Sequence, residues 1–412
     1  MAEYNNPVFR ILRSIHKRIP AKYYRFYYGY LWSKINFYNV YVKTFFKMRL
    51  PLTLFEGQDV SGQAPLTFAY FGEKAQDIEY WAGLLLAPGF KKDVLGKDWL
   101  WQVRNTIKES HPSCSMLIVE TTPFSLRILS GHKGLQSTQW MRMAIDIPES
   151  AETVWGRRRA KSSDIIRRIR KNNLSYITST APEAFDEFYH KMYVPFITAK
   201  HKKEALTADY FTIKNLFLKG LLLFIKQGED IVAGQIIVLE KEKAVLKVLG
   251  IKDGKCEYLR WGVVGAMYYF SLLEMQKRGY EVLDIGRTRS VFTNGVTKYK
   301  INMCARLHSD RSLLKDRMVI EFLKDTPGLR NFLIHNPFLY YKERVGACRA
   351  LFVENNQFEN KEDFGKYFTA YNCDGLGGTS IFVFGDLDKI QDWVRALRYK
   401  DVSVEPAERL LF

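Results

Sequence analysis

A chain of 412 residues with 47% hydrophobic and 26% charged residues is longer than most single cores and too apolar for disorder, which predicts two domains with appendages. Its net charge of +18 points to anionic partners, whether nucleic acid, anionic lipid or phosphorylated substrates. Five scattered cysteines (Cys114, Cys256, Cys304, Cys348, Cys373) form no CxxC pair and the seven histidines show no ligand spacing, so no metal site is expected and a reducing compartment fits best.

The charge is concentrated at the start. Ten Lys and Arg and a single acid, Glu3, give residues 1–55 a net +9. Asn6 and Pro7 open a short basic amphipathic helix that Pro20 ends, with Val8, Ile11, Leu12, Ile15 and Ile19 on one side. In the next stretch half of the residues from Tyr23 to Phe46 are aromatic and every charge is positive. Rings with polar tips mixed with cations suit the headgroup level of an anionic membrane, so residues 7–49 are the candidate membrane contact; the blander reading is a segment docked on the body with a solvated basic face. Even the apolar run Trp261–Leu273 stops at thirteen residues, short of a bilayer span of roughly 18–20. With no signal-peptide core either, the expected location is cytoplasmic, with peripheral attachment to the inner membrane face.

From Pro65 the pattern is mixed α/β, and residues 56–150 read as one domain. Its strands are "PLTFAYFG", "SMLIVET", "SLRILSG" and "QWMRMAIDIP", with helical stretches near Lys74–Ala87 and Lys97–Ser110. A linker-like "PESAETVWG" then gives way to "RRRAKSSDIIRRIRKNN", which holds eight basic residues from Arg157 to Lys171. Residues 151–310 form the second domain. Strand "LSYITST" is followed by two helices, three strands ("LLLFIKQ", "IVAGQIIVLE", "KAVLKVLGI"), a long helix from about Tyr258 to Gly279, and strand "YEVLDIG". The chain then opens into a cationic loop with Arg287, Arg289, Lys298 and Lys300 and returns as a strand. Residues 311–412 form an α/β extension with helices near Leu313–Leu323 and Asn331–Tyr341, strands "RALFVE" and "TSIFVFG", and a last helix "DKIQDWVRALR".

The order strand, two helices, three strands, helix, strand, loop, strand from Leu174 to Leu307 resembles the GNAT acyltransferase core. The arginine-rich "SSDIIRRIRKN" and "GYEVLDIG" with the later pair Tyr299–Lys300 are similar to the Fem-type, envelope-associated branch of that superfamily. The resemblance implies an α/β (α+β) fold with tandem GNAT-like mixed-sheet domains, residues 56–150 being a reduced first copy. It also implies a donor, either acyl-CoA or, as in the Fem-type branch, aminoacyl-tRNA. GNAT enzymes that use acyl-CoA cradle its pyrophosphate with Gln or Arg followed by glycine at the third and glycine or alanine at the fifth place. Here "YLRWGVVGAM" offers Arg260, Gly262 and Gly265 at another spacing. These three are the candidate donor-binding residues, through backbone amides at a helix start.

By resemblance Lys300 matches the charge-stabilising lysine of the Fem-type motif, and Tyr299 the aromatic before it; the blander reading is a strand-edge lysine in solvent. Asp284, flanked by apolar residues, is expected to be buried, either as a general base or as a carboxylate that accepts from Arg287 or backbone amides. Arg167, Arg168 and Arg170 suit a phosphate or pyrophosphate, and Arg287 and Arg289 come after a strand's carboxyl end, where α/β sheets place ligands. Cys304 reads as a core residue of a strand, so no covalent nucleophile is assigned. Three readings stay open. The first is N-acyl transfer from acyl-CoA to an amine of an anionic, nucleotide- or lipid-linked envelope or polysaccharide precursor. The second is aminoacyl transfer from tRNA, and the third a non-catalytic module that binds anionic lipid or nucleic acid.

Overall fold

The computed structural model describes residues 48–122, 124–129, 134–147, 160–201, 208–308, 317–343, 345–354 and 356–410. The basic aromatic segment up to residue 47 and the linker 148–159 lie outside these. Strands β1 (Arg49–Gln58) and β2 (Pro65–Phe71) are antiparallel neighbours, and after helix α1 (Ala75–Leu85) strand β3 (Lys91–Trp99) returns to the free side of β1. Helix α2 (Val103–Ser110) leads into β4 (Met116–Thr121), parallel to β2. A single helical turn, α3 (Ser125–Ile128), stands where a strand was expected from "SLRILSG"; Thr122 and Ser125 exchange hydrogen bonds there and close the turn. Strand β5 (Leu135–Thr138) completes this part, and the chain then leaves the sheet as β6 (Trp140–Asp146).

The second part runs α4 (Ala160–Lys171), β7 (Leu174–Ser179), and α5 (Pro182–Phe188), which continues through a π-helical turn into α6 (Val194–His201). Then come α7 (Tyr210–Phe217), β8 (Gly220–Gln227), β9 (Asp230–Leu239), β10 (Ala244–Ile251), α8 (Cys256–Arg260), α9 (Val263–Lys277) and β11 (Val282–Arg289). Beyond β11 the chain forms helix α10 (Gly295–Asn302), not the expected loop and strand, before a short β12 (Arg306–His308). Asn294 caps α10 by accepting from the amides of Val296 and Thr297, so the glycine after it starts a helix. Cys304 accordingly sits in the turn after α10, with φ +60°, and not in a strand.

Strand β13 (Arg317–Phe322) occupies the end of the region expected to be helical. Its "RMVIEF" pairs on both sides, with β4 and β5, and tertiary pairing decides a segment this short. The two large sheets have the orders β3-β1-β2-β4-β13-β5 and β12-β6-β11-β10-β9-β8-β7. In each, two strands joined by a crossover run parallel, β2 with β4 and β10 with β11. The next strand is antiparallel and comes from the other half of the chain, β13 in the first sheet and β6 in the second. The halves thus repeat one plan and exchange a strand. The corner between β5 and β6 is held by buried Gln139, which accepts from Trp81 Nε1 at 3.0 Å and donates to Tyr70 Oη at 2.9 Å.

Helix α11 (Pro327–His335) and β14 (Phe338–Lys342) replace the single helix expected across that stretch and begin the C-terminal extension. Strands β15 (Gly346–Glu354), β16 (Gly378–Phe384) and β17 (Val402–Pro406) run parallel, joined by α12 (Lys361–Ala370) and α13 (Asp388–Ala396). One face packs on those helices; the other, through Phe338, Phe352 and Phe382, shares a core with Trp81, Phe322 and Leu329. Buried phenylalanines each contribute roughly 2–3 kcal/mol, so the extension is bound to the first half as firmly as a domain interior.

Candidate active site

Strands β10 and β11 pair at only two positions, Ala244 with Leu283 and Val245 with Asp284, and then diverge. Each carries an irregularity just past that point: β10 shifts register on β9 between Leu246 and Val248, and β11 shifts on β6 between Asp284 and Arg287. Gly286, inside the second shift, has φ +79°, which glycine adopts without penalty. A bulge frees backbone groups, and here Lys300 takes them. Its Nζ donates to Ile285 O at 2.7 Å and Arg287 O at 2.9 Å. Helix α10 aims it there because Thr297 donates to Arg289 O at 2.9 Å and meets Thr288 Oγ1 at 2.7 Å, pinning the helix to β11. Lys300 is therefore buried at the fork, with Nζ 3.9 Å from where a Cβ on Gly286 would stand, and is not a solvent lysine on a strand edge. Burial pulls its pKa from 10.5 down to about 8; the Asp284 charge opposes this shift and Arg142 adds to it.

Asp284 is fully buried. Its Oδ2 lies 2.6 Å from Arg142 Nε and accepts from Lys243 Nζ at 3.3 Å, and its Oδ1 accepts from the Gly286 amide at 2.9 Å. Its cationic partners are thus Arg142 and Lys243, in place of the expected Arg287, which is exposed. Arg142 lies on β6, so the exchanged strand brings a first-half residue into the second half's site. The pairing of Asp284 with Ala144 and Val245 places Arg142, Lys243 and His308 on the same sheet face. Burial and the neighbouring Arg142 lower the Lys247 pKa, and burial with Lys243 lowers that of His308. None of these four was singled out from sequence. Arg142 reaches the site through the exchange of β6, which the sequence pattern does not show.

Arg289 sits elsewhere. Its guanidinium lies 4.0 Å from the Trp140 ring and 4.1 Å from the Tyr80 ring, and Nη1 donates to buried Asp77 at 2.5 Å. It ties β11 to α1, joining the halves, and does not face the fork.

The basic helix α4 crosses the start of α9. Arg167 and Arg168 both bind Asp164, Arg168 Nη1 donates to Arg260 O at 3.3 Å, and Asn172 Nδ2 donates to Trp261 O at 3.0 Å. Gly262 is the N-cap of α9, with φ +86° and no capping side chain. A Cβ on it would meet the Arg168 stem at 3.0 Å, and one on Gly265 would meet Ile165 at 3.1 Å and Tyr299 Oη at 3.2 Å. The two glycines let α4 and Tyr299 pack against α9, while Arg260 stays exposed and Gly262 half-buried at the helix start. Tyr299 thus lies against α9, its ring 6.0 Å from that of Tyr268, with burial pushing its pKa up. Arg170 is exposed on α4.

No family model matches the sequence, and no curated protein matches it. Similar solved structures include the C-terminal domain of an Agrobacterium fabrum protein described as a lysylphosphatidylglycerol synthetase (11% identity, 64% of this chain and 83% of that one, TM-score 0.33). Another is FemX (12%, 62% and 81%, TM-score 0.34), and a third is a tandem GNAT protein from the clavulanic acid pathway (10%, 62% and 77%, TM-score 0.28). The fold assignment rests on the strand order of the two large sheets.

Proposed function

We propose that the chain is a GNAT-type N-acyltransferase that moves an acyl group onto an amine of an anionic, nucleotide- or lipid-linked precursor of envelope or polysaccharide assembly. The observation that carries this reading is the fork of β10 and β11 with a buried ammonium at its root. In acyl transfer the amine nitrogen forms a bond to the donor carbonyl carbon, the carbonyl oxygen becomes an oxyanion, and the bond to the leaving group breaks as the amine loses a proton and the leaving group gains one. Lys300 uses two of its three donors on backbone carbonyls, and the third serves the oxyanion. Asp284, engaged by two cations and an amide, is a positioning residue: it holds Arg142 and Lys243 on the face where an anionic acceptor approaches.

Acyl-CoA is the donor the superfamily implies, but the spacing of Arg260, Gly262 and Gly265, which departs from the usual acyl-CoA loop, and the Arg168 stem against Gly262 favour aminoacyl-tRNA as the second reading. Arg167, Arg168 and Arg170 then serve the phosphodiester backbone, with Arg287 a further cation exposed past the fork. Thermal-shift titration with acetyl-CoA, longer acyl-CoAs and bulk tRNA separates the cases. Stabilisation by a CoA ester selects the first donor and salt-sensitive stabilisation by tRNA the second. Failure of both, together with turnover unaffected in a folded Lys300→Met variant, would reject transfer at the fork.

A further inference from the structure

Strand β3 forms the outer edge of the first sheet, at the end away from the strand exchange, and among the described residues it pairs only with β1. Edge strands carry lysines to deter pairing with other chains, and Lys91, Lys92 and Lys97 fit that use. Four other residues do not. Val94 is 67% exposed, Leu95 41%, Trp99 38% and Trp101 47%, and the two tryptophans stack with ring centroids 4.8 Å apart. Arg49, paired in register with Trp99, holds its guanidinium 5.4 Å over that ring. Large rings left in water on a strand that already has its deterrent charges need another reason.

We propose that this edge is a docking surface for an anionic lipid bilayer, with Trp99 and Trp101 seated at headgroup depth and Arg49 and Lys97 over lipid phosphates. Two observations select a bilayer as the occupant. Tryptophan and arginine side by side, with aliphatic Val94 and Leu95 beside them, match a surface that is apolar below and negative above. The sequence that leads into this strand pair at Arg49 has the matching composition, since residues 1–55 carry a net +9 with half of positions 23–46 aromatic. The proposal stands whether or not the fork transfers an acyl group.

The test uses the full chain with vesicles of phosphatidylcholine alone and with about a third phosphatidylglycerol, read by co-sedimentation and by quenching of tryptophan emission with brominated lipid. Wild type should bind the anionic vesicles in a salt-sensitive way and the neutral ones weakly. Trp99→Ala/Trp101→Ala should bind about tenfold less and lose the quenched share of its emission, with an unchanged thermal unfolding curve. Lys97→Glu, at an exposed position, should also weaken binding and guards against a folding defect in the double variant. Equal binding by both variants and wild type would overturn the proposal, as would the absence of anionic-vesicle binding by wild type. Tryptophan-dependent self-association without vesicle binding would assign the edge to a second copy of the chain instead.

Discussion

Lys300 illustrates how one side chain carries both a cost and a use. An ammonium taken out of water is disfavoured, so its pKa falls to about 8 and the folded state holds this proton less tightly than the unfolded chain, whose value is near 10.5. The destabilisation is therefore fully present below about pH 8 and is relieved as pH rises from 8 towards 10.5. Wild type should gain about 2 kcal/mol on Lys300→Met between pH 7 and 9.5 in urea unfolding, and a pH-independent difference would contradict the burial. If the ammonium stabilises the oxyanion, kcat/KM should fall as pH rises through about 8. Asp284→Asn should cost about 3–5 kcal/mol in stability, since Arg142 and Lys243 lose their buried counter-charge. A positioning role leaves the acid limb of that variant's pH profile in place and moves only the basic limb to lower pH, because the Asp284 charge no longer holds the Lys300 pKa up, whereas a shifted acid limb would make Asp284 the general base. The burial of Asp284 and its acceptance from a backbone amide were legible in the sequence, but its ionic partners Arg142 and Lys243 and the carbonyls that hold Lys300 lie more than a dozen positions away.

At the scale of elements, local pattern served where packing agreed with it. Alternation or continuous apolar runs located β2, β4, β6 and β8 to β11, and the stretch "DKIQDWVRALR" is the expected helix, α13. It failed where a few hydrogen bonds or a neighbouring strand decide the outcome: Asn294 converts an apparent loop into α10, the Thr122–Ser125 pair turns a supposed strand into α3, and pairing on both sides makes β13 a strand. The glycines of α9 were legible as special but not as to purpose. Gly265→Ala forces a methyl against Ile165 at 3.1 Å and Tyr299 Oη at 3.2 Å, overpacking that should cost about 1–3 kcal/mol even though alanine is the better helix former. Chemical denaturation checks it. A stabilised variant would mean that α4 does not pack against α9.

The whole molecule is set by the exchange of β6 and β13. Neither large sheet is complete without the other half's strand, and sequence periodicity gives each strand its faces but never its sheet. Closure of both sheets therefore has to be cooperative, and the Arg289–Asp77 pair, clamped between Tyr80 and Trp140, ties the halves a second time. Urea unfolding of the full chain should give one transition, with tryptophan fluorescence and far-ultraviolet circular dichroism coincident, despite a length at which two independent domains would ordinarily separate. Arg289→Ala strands the Asp77 carboxylate in a site only 2% exposed and should lower stability by about 3–5 kcal/mol. Because the pair spans the junction, this loss should shift the single transition as a unit. Two resolved transitions in the wild type would show that each half closes its sheet without the exchanged strand, and would remove the structural reason for Arg142 to stand beside Asp284.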